Sequence, residues 1–310
     1  NTQGTGREGS FTINGLRSTY NNYLLDGIDN NAYGTSNQGY SNQVIQPPPD
    51  AIVEMRVVTN NMSAEYGRSG GGTMNVAYKS GTNAFRGAAW EFRRDPSLNA
   101  TGFFKPAAGT EPKLTRDQYG FVLGGPVLRN RAFFFTDYEA LRQDRYTVAI
   151  SSIPDMNQRQ GVLSVAVRDP RTGVVYPAGT ALPMTAAARK ILAELPTPTG
   201  PGTSNNYRAT VLATNDTDKF NFKLDEKFTD KLSLFGRFGW RDTDIVEESG
   251  LPLPSGGAGN GTTYVKNKAV ALGATYMPGG TQLLELRFGW STTDAGKNPP
   301  ALGTASAFDA

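Results

Sequence analysis

Gly4-Thr5-Gly6-Arg7-Glu8-Gly9 spells GxGxxG, the fingerprint with which a strand-to-helix turn cradles a dinucleotide pyrophosphate. That chemistry needs a strand before the first glycine and a helix after the last. Only three residues precede the motif and neither element flanks it, so it reads as tight or flexible backbone. Gly67-Arg68-Ser69-Gly70-Gly71-Gly72 is equally rich in glycine but lacks the Lys-Ser/Thr that completes a phosphate loop. Asp26-Gly27-Ile28-Asp29-Asn30-Asn31 gathers side-chain oxygens, yet its spacing misses the calcium-loop pattern and its terminal Glu. A turn network is the better account of it.

The remaining chemistry is narrowed by composition. The 310 residues contain no His and no Cys, which removes disulfides, imidazole and thiolate metal ligands, and every Ser-His or Cys-His nucleophile. Glu91 with Asp95 and Asp137 with Glu139 form carboxylate pairs, but nothing beside them looks like an activated nucleophile, so no enzyme activity and no cofactor are expected. The net charge of +3 is spread over interspersed acids and bases, without the basic stripe that nucleic acid requires. No nucleic-acid partner is expected.

A hydrophobic fraction of 38% is low for a buried-core enzyme of this length, and something other than a conventional core must organise the chain. No window approaches the run of about 20 apolar residues that a transmembrane helix needs. No charged-then-apolar leader opens the sequence, Asn1 is not an initiator, and the last residues follow a loop; the chain reads as excised from a longer polypeptide.

The elements that must position these residues fall into two textures. Residues 1–83 are dense in Asn, Gly and Ser, broken by short β-like pieces at Phe11 to Asn14, Tyr23 to Leu25 and Ile52 to Thr59, and read as a small mixed α+β domain. Residues 84–310 turn into segments that alternate apolar and polar residues. Phe220, Phe222 and Leu224 stand against Asn221, Lys223 and Asp225; Leu232, Leu234, Phe238 and Trp240 stand against Ser233, Arg237 and Arg241. Only a strand places alternate residues on opposite faces. The same unit recurs as Val270, Leu272 and Tyr276, then Leu284, Leu286, Phe288 and Trp290 opposite Glu285 and Arg287.

About seven strands are expected, joined alternately by short turns and long loops, as outer-membrane barrels are. Short turns are placed near Leu128 to Asn130, Thr229 to Asp230 and Pro278 to Gly280; long loops at Asp95 to Leu114, Gln143 to Asn215 and Asp244 to Tyr264. In the longest loop Thr185 caps a helix that Pro196 stops, and its Ile191, Leu192 and Leu195 stripe is expected to pack on the loop itself. No helix layer exists to cover the apolar strand faces, so lipid must cover them, with charged residues lining a wet lumen. Trp90, Phe92, Trp240, Tyr276 and Trp290 fit aromatic girdles at the two interfaces.

Several blocks together resemble the TonB-dependent outer-membrane receptors, in particular the Oar-like group. Three of them are Phe11-Thr12-Ile13-Asn14-Gly15-Leu16-Arg17, Tyr23-Leu24-Leu25-Asp26-Gly27-Ile28 and Pro49-Asp50-Ala51-Ile52-Val53-Glu54-Met55-Arg56-Val57-Val58. The most telling is Ser63-Ala64-Glu65-Tyr66-Gly67-Arg68-Ser69-Gly70-Gly71-Gly72-Thr73-Met74-Asn75. Gly15, Arg17, Asp26, Gly27, Glu54, Ser63, Tyr66, Gly67, Gly71, Gly72 and Asn75 are the plug-motif positions that match. Asn83-Ala84-Phe85-Arg86-Gly87, Gly120 to Val127 and Phe133 to Glu139 extend the resemblance into the barrel. Asn14 stands where the general family often has Arg, and the family's Arg-Gly-Pro near Thr59 to Asn61 is missing, so no siderophore-specific expectation follows.

What the resemblance implies is an N-terminally truncated plug domain over 1–83 and, over 84–310, the first strands of a barrel of about twenty-two. Such a barrel sits in the outer membrane of a Gram-negative bacterium. It is opened by a TonB-type energy-coupling protein acting on a segment upstream of this chain, and it imports an extracellular substrate. Asn30, Asn31, Tyr33 and Tyr40 are the plug-loop candidates for substrate contact. The rival expectation is an adhesive or structural surface protein whose barrel anchors large loops.

Overall fold

The computed structural model describes residues 11–33, 41–61, 63, 67, 69–100, 113–252 and 261–299. Its N-terminal part is a four-stranded mixed sheet built from β1 (Asn22–Leu25), β2 (Ile28–Asp29), β3 (Ile52–Val58) and β4 (Thr73–Tyr78), in the order β2-β1-β4-β3. Asp-Gly is the residue pair that a two-residue hairpin turn prefers, because both central positions need a positive φ. Asp26 (φ 54°) and Gly27 (φ 71°) supply it, folding β2 back on β1. The clustered oxygens of residues 26–31 are indeed a turn network: Asp29 Oδ1 accepts from the Asn31 backbone N–H at 2.9 Å and from its Nδ2 at 2.8 Å. β1 runs parallel to β4, and β3 pairs with β4 antiparallel.

The second part is one seven-stranded antiparallel sheet in which each strand pairs with the next along the chain. Its strands are β5 (Arg86–Arg94), β6 (Lys113–Leu128), β7 (Ala132–Ser151), β10 (Tyr207–Lys227), β11 (Leu232–Glu247), β12 (Gly261–Gly279) and β13 (Gln282–Asn298). Turns at 129–131, 228–231 and 280–281 alternate with connections at 95–112, 152–206 and 248–260, so the short-long alternation holds. The strands are longer than expected. β7 and β10 stay paired up to Ser151 and Tyr207, which shortens the longest loop from Gln143 to Asn215 down to 152–206. Toward the long connections the outward face takes up charged residues, so the clear apolar alternation fades while hydrogen-bonded pairing continues. There Arg142 meets Asp218 at 2.8 Å and Lys266 meets Asp242 at 3.8 Å on the outward face.

Phe222, Leu224, Leu234, Phe238, Leu272, Leu284, Leu286, Phe288 and Trp290 are exposed, while Lys219, Asn221, Lys223, Arg237, Arg241 and Asn267 on the alternate positions are buried. A soluble sheet would show the reverse. Here the outward side is apolar and the inward side meets the first domain. Among the described residues no helix is long and apolar enough to cross a membrane.

The girdle expectation fails for Trp90. It pairs across Gly120 and packs inward on the core formed by Leu25, Ala32, Val44, Ile45, Ala51, Tyr78, Val122 and Phe135, whereas Phe92, two positions on, is 63% exposed. An inward position that faces the plug meets protein rather than water, and an apolar ring is favoured there.

The connection 152–206 folds on itself. α1 (Met156–Arg159) carries a capping box of Asp155 and Gln158, β8 (Val167–Arg168) pairs with β9 (Val175–Tyr176), and α2 (Ala186–Glu194) is capped by Thr185 as its sequence requires. The first helix and the hairpin escaped the sequence reading, being a single turn and two residue pairs. Arg159 donates to the carbonyls of Leu195 (2.8 Å) and Pro196, joining the helices. Asn206 closes the neck, accepting from Ile153 N–H at 2.9 Å and donating to its carbonyl at 2.8 Å.

Candidate functional site

The hairpin tip made by Asp26 and Gly27 projects into the wall. Asp26 Oδ2 accepts from Arg237 Nε at 3.0 Å, and Asp26 Oδ1 lies 3.7 Å from Lys223 Nζ and accepts from Tyr78 N–H at 2.9 Å. Arg287 donates to the Asp26 carbonyl at 2.7 Å. Three strands, β10, β11 and β13, therefore grip one turn. The side chains of Asp26, Lys223 and Arg237 are 9%, 9% and 4% exposed, which takes this ion pair out of water. A buried pair of this kind contributes little net stability over an apolar substitute, but loss of one partner strands the other charge.

A second contact lies one element away. Tyr78 donates its hydroxyl to Asp137, and its ring meets Phe135 edge-on at 5.4 Å. Burial, then the adjacent Asp137 carboxylate, push the Tyr78 pKa far above the ordinary phenol value, so the hydroxyl remains a donor. Asn221 Nδ2 donates to the other Asp137 oxygen at 3.1 Å. Nearer the long loops, Asn267 Nδ2 donates to the Val44 carbonyl at 2.9 Å and Arg241 donates to Gln46 Oε1 at 3.1 Å. Lys219 pairs with Glu139 at 3.2 Å, and Gln118 donates to Glu139 at 2.8 Å.

The interface is thus mixed: ion pairs and hydrogen bonds hold the small sheet at several heights, beside an apolar patch where Val122, Phe135 and Trp90 of the wall cluster with Leu25, Ile45 and Tyr78. No group of three or more His, Cys, Asp or Glu placed for a metal exists among the described residues. What such an arrangement can do is fix one sheet against another through specific polar pairs. Between the two parts a cavity of about 370 Å³ is lined by Tyr23, Gln43, Gln46, Pro47, Gln118 and Lys219, among others.

Residues 77–309 match the family described as outer membrane beta barrel domain. The chain belongs to that family. Residues 1–73 of this outer-membrane β-barrel protein match the TonB-dependent receptor plug domain. Over 134 residues, 41% of the chain, it is 29% identical to the TonB-dependent transporter Oar of Myxococcus xanthus, covering 12% of that protein. The fold is similar to the outer membrane transporter YddB from Escherichia coli (TM-score 0.51, 13% identity, 90% of this chain, 32% of that one). It is also similar to a mutant of the ferric enterobactin receptor PfeA from Pseudomonas aeruginosa (TM-score 0.53, 13% identity, 95% and 36%). The chain spans about an eighth of the curated relative and about a third of these solved chains. Its place is the outer membrane of a Gram-negative bacterium.

Within this family frame the motif positions have distinct surroundings. Gly15 (φ 77°) turns the chain just before Arg17, which is exposed. A Cβ on Gly71 would overlap Asn21, and one on Gly72 would overlap Ile13, so both glycines let neighbouring segments approach. Asn75 Oδ1 accepts from Gly27 N–H at 3.3 Å, and the Gly67 carbonyl accepts from Asn22 at 3.3 Å. Glu54 and Ser63 are exposed. Tyr66 and Tyr40 lie outside the described residues, as does Gly4 to Gly9.

Of the substrate candidates, Asn30 is buried and both ends of its amide are engaged by Ile45: it donates to the carbonyl at 2.8 Å and accepts from the N–H at 2.9 Å. Asn31 bonds Asp29, Asn22 and Tyr23. Tyr33 is 64% exposed and donates its hydroxyl to Asp29. Sequence reasoning placed Lys223, Arg237, Arg287 and Asn221 on the polar strand face without partners, and passed over Asn267. Alternation marked the face of those four, and no local signal could pair them with partners 84 to 261 positions away.

Proposed function

We propose that residues 1–83 are the plug and residues 84–310 the first wall of a TonB-dependent importer. An energy-coupling protein acts through a segment upstream of this chain, and the plug moves to open a path for an extracellular cargo. The observation that carries the reading is the Asp26 hairpin tip seated between Lys223, Arg237 and Arg287: a separate small sheet held inside a barrel wall by polar contacts. A small apolar patch at Val122, Phe135 and Trp90 seats the plug, and the ion pairs and hydrogen bonds around it have equivalents in a wet lumen. The cargo meets the exposed Tyr33 with Tyr40, on a frame set by Asn30 and Asn31, and no bond in it is broken.

Deleting residues 1–83 from the full-length protein tests this reading. The expected result is an open pore and loss of energy-dependent uptake; a closed pore with coupled uptake would overturn it. A second reading, a surface protein of adhesive function, is favoured by one observation, the self-contained fold of residues 152–206. Normal attachment and no uptake defect in a strain lacking the energy-coupling protein would favour it.

A further inference from the structure

The charges around the Asp26 tip do not balance once that tip withdraws. Lys223 keeps Asp225 at 3.7 Å, and Arg287 keeps Glu285 at 3.5 Å. Asp137 is occupied by Tyr78 and Asn221. Arg237 is different: Asp26 is its carboxylate partner, at 3.0 Å, and no second carboxylate lies within ion-pair distance of it among the described residues. Its guanidinium is 4% exposed, in the midst of Tyr78, Lys223 and the plug turn. Withdrawal of the hairpin takes away this cation's counter-charge, and an entering anion restores the ion pair where water alone would only solvate the guanidinium.

We propose that the pocket of Arg237, flanked by Lys223 and Arg287, is an anion-binding site on the barrel wall, filled in this state by the Asp26 carboxylate and taken by an anionic group of the cargo, a carboxylate, when the hairpin leaves. The inference deepens the import reading and rests on it for the cargo, while the site itself is defined by the wall residues. One vacancy and one uncompensated charge select a single carboxylate over a neutral or cationic group. The exchange makes plug withdrawal and cargo passage mutually favourable, because each removes the other's unpaired charge.

The test uses the purified full-length protein with Asp26→Gly, which removes the carboxylate and accepts the positive φ of the turn. The thermal unfolding midpoint is measured in sodium acetate and in sodium chloride at equal ionic strength. Acetate is expected to raise the midpoint of the variant by several degrees more than chloride does, to leave the wild type unmoved, and to lose its advantage in Asp26→Gly/Arg237→Gln. Equal responses to the two salts, or a persisting acetate effect in the double variant, would overturn the proposal. Should Asp26→Gly fail to reach the membrane, the double variant decides. Restored insertion supports a single stranded cation at Arg237, and continued failure overturns it. Acetate binding needs no uptake, so an absent shift leaves the import reading standing, and a failed plug-deletion experiment leaves the shift interpretable.

Discussion

Tyr78, the last residue of plug strand β4, donates its hydroxyl to Asp137 on wall strand β7, with its ring edge against Phe135. The contact joins the centre of the plug sheet to the wall just before the chain itself crosses from one to the other. Tyr78→Phe keeps the ring and removes the donor, leaving a buried carboxylate oxygen unsatisfied. Plug stability in the full-length protein should fall by about 1–3 kcal/mol, read as faster hydrogen exchange in β4. Unchanged exchange would mean the hydroxyl contributes nothing to seating.

Asn30 acts as a side-chain strand partner. Its amide replaces a missing backbone neighbour for Ile45, and both groups are buried. Asn30→Ala should orphan an N–H and a C=O together, costing about 2 kcal/mol or more and loosening residues 41–46 before the rest of the plug. Proteolysis or exchange confined to that segment would verify it. If the variant instead loses cargo affinity with its plug intact, Asn30 is a contact residue and this account of it fails.

The alternation on β13 gives a sharp test of which face meets lipid. Leu286 is exposed between inward Glu285 and Arg287. Leu286→Arg places a charge in the apolar band and should cost about 2–4 kcal/mol of barrel stability, with reduced insertion. Glu285→Gln, one position away, should insert normally. Equal tolerance at both positions would contradict the assignment of faces.

Gly81 sits where the chain passes from plug to wall, and a Cβ there would overlap the backbone carbonyls of Phe134 and Gly125. Backbone cannot yield as a flexible side chain would. Gly81→Ala should therefore displace the linker, at a cost of about 1–3 kcal/mol, and break the reciprocal bonds of Asn83 with Asn130 (2.6 and 2.7 Å) close by. Gly280→Ala, at a turn with open space, serves as the control and should leave the midpoint unchanged.

Much of this architecture was legible in local pattern. A period of two needs only neighbouring residues, so the strands around Phe220 to Leu224 and Leu284 to Trp290, the alternation of turns with loops, the Asp26-Gly27 turn and the Thr185 cap could be read directly. The resemblance supplied the plug. Strand ends were less legible, because over 143–151 and 207–215 apolar and polar residues no longer separate onto two faces, although β7 and β10 stay paired there.

By itself, then, the sequence determined where the central stretches of the long strands lie and which of their faces is apolar, since both follow from the alternation of side chains along an extended backbone. Only the tertiary structure decided what the polar face is for. It sent Trp90 inward onto the plug core, committed Asn30 to Ile45, and brought Asp26 to Arg237 across 211 positions of chain. Those outcomes depend on how one folded sheet seats within another, and no local periodicity encodes a contact between residues so far apart.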